Sequence, residues 1–80
     1  TWIRRPDGSW EVAGSVALDE VESRLGLEVE DRERAELLTL GGFVMARLGR
    51  VPAPGDEFRW SSRQVRVLQM SGRRVERVLI

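Results

Sequence analysis

Apolar and polar positions change their period twice along the chain, which marks out three zones. In the first, Ser9-Trp10-Glu11-Val12 alternates as a half-buried strand does, and Trp2-Ile3-Arg4-Arg5 precedes it across Pro6-Asp7-Gly8. Proline presets one turn dihedral, aspartate can bond its own following backbone, and glycine relieves the final position. The first sixteen residues therefore predict a short hairpin ending near Gly14-Ser15-Val16.

From Leu18 the period becomes helical. Leu18, Val21 and Leu25 fall at i, i+3 and i+7, Asp19 and Glu20 sit in the first turn where the helix dipole favours anions, and Gly26 supplies a stop. A second helix follows Thr39, a good N-cap, with Leu40, Phe43, Val44 and Leu48 as one apolar stripe before Gly49. Between the two, Glu28 to Glu36 carries five acids against Arg32 and Arg34, with only Val29 and Ala35 apolar. That stretch reads as a solvated connection with at most a frayed turn of helix.

The third zone is β-like. Pro52-Ala53-Pro54-Gly55-Asp56 cannot continue a helix and turns into a strand at Glu57 to Trp60, and Ser61-Ser62 breaks it. Gln64 to Met70, the turn Ser71-Gly72, and Arg73 to Ile80 form a second hairpin. The order ββ-αα-βββ predicts an α+β fold, a small antiparallel sheet with two helices packed on it. Alternation fails at Val67-Leu68 and at Val78-Leu79-Ile80, which fits either a bulge or a sheet covered on both faces.

Composition narrows what such a fold can do. Eighty residues make one domain, with thirteen basic and thirteen acidic residues balancing to a formal charge of zero. Cysteine, histidine, tyrosine and lysine are all absent. Disulfides, thiol nucleophiles, imidazole bases, the usual zinc ligands, Schiff bases and a P-loop lysine go with them. Every cation is an arginine, which exchanges no proton near neutral pH. The reading is a non-enzymatic binding or structural unit without catalytic residues. No apolar run approaches the roughly 18 residues of a membrane span. The chain opens on Thr1 rather than Met and reads as one domain, residues 1–80, excised from a longer chain.

Four features invite a functional reading. Gly41-Gly42 in the first turn of the second helix weakens it by about 1 kcal/mol per glycine relative to alanine. The pair allows either close approach of a strand, the favoured reading, or a ligand site in which helix amides meet a phosphate, an adenine nucleotide or FAD. No Rossmann or P-loop glycine spacing accompanies it. Residues 59–80 hold six arginines against Glu76, a net charge of +5, and Arg63, Arg66, Arg73, Arg74 and Arg77 form the candidate interaction surface. The plainer reading is that arginines flank edge strands and pair with the protein's own acids. A net charge of zero argues against nucleic acid as the partner. Asp19, Glu20, Asp31 and Glu33 could be offered as magnesium ligands, but helix charge patterning explains them better, and no metal site is assigned. Trp2, Trp10 and Trp60 read as core and rim rather than as a stacking surface.

Taken in order, Asp7-Gly8-Ser9-Trp10, Gly14-Ser15-Val16, Leu18-Asp19-Glu20-Val21, Leu25-Gly26-Leu27, Thr39-Leu40-Gly41-Gly42, Leu48-Gly49-Arg50-Val51-Pro52, Pro54-Gly55-Asp56 and Arg73-Arg74-Val75 resemble the transporter-associated CorC/HlyC domain over nearly the whole chain. One departure is Arg34-Ala35-Glu36-Leu37-Leu38, where that family often has an acidic-aromatic run. The resemblance implies an α+β fold similar to a small subdomain of FAD-binding proteins. It also implies a cytoplasmic C-terminal module of hemolysin-like membrane proteins tied to magnesium and cobalt efflux. Its partners would be the CBS pair and transmembrane region of the same parent chain, with a homodimer allowed, and its role accessory or regulatory. The alternative is a small-ligand sensor that takes an adenine nucleotide or flavin near Gly41 and Gly42.

Overall fold

The turn predicted at Pro6-Asp7-Gly8 closes the first hairpin. Asp7 Oδ1 accepts from the Ser9 backbone N–H at 2.9 Å and from the Ser9 hydroxyl at 2.6 Å, while Gly8 takes a φ of 90°. In this computed structural model, which describes residues 2–80, β1 (Trp2–Arg4) thereby lies antiparallel to β2 (Trp10–Ala13), with Trp2 opposite Val12.

Helix α1 (Leu18–Leu25) ends on Gly26 in the left-handed conformation, its N–H donated to the Glu22 carbonyl. The acidic connection differs from expectation, because Asp31–Glu36 forms a short helix, α2. Its signal is not an apolar stripe, since none of its residues is buried. Glu30 and Glu33 instead form a reciprocal capping box. Arg34 bonds Glu22 of α1 at 2.7 Å. Helix α3 (Leu40–Leu48) starts as predicted, with Thr39 Oγ1 accepting from the Gly42 N–H at 3.1 Å, and stops at Gly49 with a φ of 72°.

Three further strands, β3 (Glu57–Trp60), β4 (Arg63–Ser71) and β5 (Arg74–Leu79), complete a five-stranded antiparallel sheet of order β1-β2-β5-β4-β3. Strand β2 pairs with β5 through Val12 and Val78, which joins the two hairpins across the chain. The register between β4 and β5 shifts on both sides of Gln69, so a bulge accounts for the break at Val67-Leu68, whereas Val78-Leu79-Ile80 keeps its alternation and simply places an apolar Leu79 outward. Val12, Val65, Val67, Val75 and Val78 face the helices and meet Leu18, Val21, Leu40, Phe43 and Val44 in one buried core. The alternating positions Glu11, Arg66 and Leu79 stand on the opposite, open face.

The tryptophans divide as the sequence suggests. Trp60 is 1% exposed, packs tilted against Phe43 with ring centroids 4.4 Å apart and donates its indole N–H to the Glu28 carbonyl at 2.8 Å. Trp2 and Trp10 meet edge to face at 5.8 Å on the rim, where Trp2 donates to Glu20 and lies under the Arg24 guanidinium.

Candidate functional site

The two glycines of α3 have different neighbours. A Cβ on Gly41 would stand 3.2 Å from the Gly14 carbonyl oxygen and 3.3 Å from the Val75 Cβ, so the helix start rests on β5 and the end of β2. Gly42 faces only Thr39 and Leu37 within 4 Å. The first amides of the helix are already engaged. The N–H groups of Leu40, Gly41, Gly42 and Phe43 donate to the Val16 carbonyl, the Gly14 carbonyl, Thr39 Oγ1 and the Thr39 carbonyl respectively. No orphan donor is left at this helix end for an anion.

The same close approach leaves a cavity of about 570 Å³ beside it. Gly41, Gly42 and Met45 of α3 line one side, and Arg73 of the β4–β5 turn joins Arg74 and Val75 at the start of β5 on the other. Two sequence candidates distant along the chain, the glycine pair and the last arginines, therefore share one concavity. Ser15, Met45 and Ser71 also line it but carry no local signal in the sequence, since they come from the turn after β2, from α3 and from the end of β4 and meet only where α3 packs on β5.

The five arginines do not form one patch. Arg66 Nε pairs with Glu57 at 2.7 Å, and Arg77 Nε lies 3.7 Å from Glu11 on the open sheet face. Arg63 begins β4, while Arg73 and Arg74 lie past its other end, roughly 27 Å away at about 3.4 Å per residue. Arg63, Arg73 and Arg74 form no ion pair among the described residues. Arg77 keeps Nε and Nη2 buried without hydrogen-bond acceptors.

Of the four acids raised as metal ligands, Glu20, Asp31 and Glu33 are engaged within the chain, while Asp19 sits in the first turn of α1. Glu20 takes the Trp2 indole and Arg24, Asp31 takes Arg34, and Glu33 takes Arg47 at 2.8 Å. The Arg47 hydrogen bond holds the Glu33 carboxyl below its usual range. Ser9, through its hydroxyl and then its amide, does the same for Asp7, and the Ala53 amide, helped by Arg50, for Asp56. None of these carboxyls lines the cavity. Among the described residues no group of three or more acidic side chains could hold a metal ion, and no helix is long and apolar enough to cross a membrane.

Comparison with known proteins converges on this architecture. A UPF0053 protein of Synechocystis is 37% identical over 79 residues, covering 98% of this chain and 18% of that protein. The chain spans less than a fifth of the length of the curated relatives it matches. A CorC/HlyC domain from a Xylella fastidiosa hemolysin, solved in complex with Mg and Mn, superimposes with a TM-score of 0.85 at 27% identity, over 98% of this chain and 91% of that one. The transporter-associated domain of a CBS domain protein from Porphyromonas gingivalis gives 0.82 at 26% identity, over 99% and 93%. The family described as transporter-associated domain, CorC/HlyC, matches residues 3–80, and this chain belongs to it.

Proposed function

We propose that the domain is a non-catalytic accessory module of a CBS-domain-containing, hemolysin-like membrane ion transporter, acting on the cytoplasmic side through protein–protein contact. Family membership over residues 3–80 is the observation that carries this reading. The missing His, Cys, Lys and Tyr leave little for covalent or acid–base catalysis.

The open face of the sheet is the surface best suited to the contact. Arg77 stands on this face with its side chain 24% exposed and only a loose pairing with Glu11 at 3.7 Å, so it offers a partly free positive charge to a partner carboxylate. Ile3, on the same face by its pairing with Glu11, is 51% exposed. The CBS pair and transmembrane region of the parent chain are the proposed occupants. Regulation then follows from preference: a module that docks better on one transporter state shifts the equilibrium by that difference in affinity.

Deleting residues 1–80 from the full-length parent tests this. Transport by the truncated protein, or its assembly size, is expected to change. Unchanged transport together with unchanged oligomer size would defeat the reading.

A further inference from the structure

The cavity beside α3 is not accounted for by docking or by the fold. Its volume of about 570 Å³ lies within the roughly 300–1,000 Å³ typical of small-molecule sites. Among the described residues Arg73 and Arg74 are the only charged ones that line it. Among the described residues eight arginines lie within 4 Å of a carboxylate, Arg5, Arg24, Arg32, Arg34, Arg47, Arg50, Arg66 and Arg77. In a chain with as many acids as bases, two adjacent arginines at a concave surface with no acid beside them concentrate positive potential there.

The rest of the lining fits one class of ligand. Guanidinium forks match phosphate oxygens in geometry and charge. The Thr39 oxygen already accepts from the Gly42 amide, so its hydroxyl hydrogen can be donated outward. Met45 and Val75 supply an apolar bed. We propose that this cavity binds a small molecule carrying a phosphate or diphosphate group, with the anion on Arg73 and Arg74 and the organic part against Met45 and Val75. The helix amides take no part, since all four are bonded within the chain. The site stands independently of the docking reading.

NMR titration of the 80-residue chain with ATP, FAD and sodium pyrophosphate tests it. At least one probe is expected to shift the amides of Gly41, Gly42, Arg74 and Val75 saturably. The double variant Arg73→Ala/Arg74→Ala removes two exposed side chains and is expected to weaken binding by about tenfold or more, as loss of charge-assisted bonds implies. Arg59→Ala/Arg63→Ala removes the same charge outside the cavity and is expected to leave affinity unchanged. Absence of saturable shifts for all three probes overturns the proposal. So does an equal loss in both double variants, which would mean general charge screening.

Discussion

Gly14 shows how one absent side chain sets the geometry around the cavity. A Cβ on Gly14 would overlap the Val75 carbonyl oxygen, and backbone on both sides leaves nothing flexible to move. Gly14→Ala is therefore expected to destabilise the domain at or beyond the upper end of the roughly 1–3 kcal/mol seen for overpacked interiors. Gly41→Ala meets its neighbours at 3.2–3.4 Å, and a helix-propensity gain of about 1 kcal/mol offsets part of the strain, so its net effect should be much smaller. Urea unfolding of the two variants measures the difference, and equal midpoints would contradict the packing account. The sequence exposed Gly41 because a glycine pair in a first helical turn violates propensity. Gly14 was hidden, since a glycine after a strand reads as an ordinary turn and its contact is with a residue sixty-one positions away.

At the level of elements, α2 is where hydrophobic periodicity fails and charge takes over. With no buried residue to anchor it, this helix depends on its capping box and on the Arg34–Glu22 and Arg47–Glu33 pairs. The companion helices and the central strands were legible because each buries a stripe or an alternating face, and β1 because a turn with its own signal follows it; α2 was not, because its partners lie on other elements and a glutamate N-cap is an uncommon signal. The bulge was equally undecidable, as a broken alternation looks the same whether a residue is extra or a second face is covered. The Arg47 hydrogen bond holds the Glu33 carboxyl below its unfolded value. Its contribution is complete above that value and is lost as pH falls through the depressed folded one. Amide exchange at Arg34 and Leu37, whose N–H groups bond the Glu30 and Glu33 carbonyls, should lose protection at pH 3 while the sheet keeps it. The effect should be on the order of 1 kcal/mol, as for a partly exposed pair. Glu33→Gln should leave α2 weakly protected throughout and reduce its pH response, and an undiminished response in this variant would place its origin elsewhere.

For the molecule as a whole, the question is how an open five-stranded sheet avoids pairing with its own kind. Its two edges are β1 and β3, of three and four residues, and short edges offer little to a partner. Each also carries an arginine: Arg4 lies over the Trp10 ring at 5.5 Å, and Arg59 sits opposite Gln64 on β3. These are the devices by which exposed edges are blunted, and they act on backbone pairing without covering the open face. The chain is accordingly expected to sediment as a 9.1 kDa monomer at micromolar concentration. Arg4→Val/Arg59→Val, which replaces both guards with a strong β-former, should move it towards dimers or larger species. A wild-type dimer would show that the edges are not what controls association. A monomer would mean that any pairing of two copies is imposed by the parent protein, and that the open face around Arg77 and Ile3 is left free for contact with it.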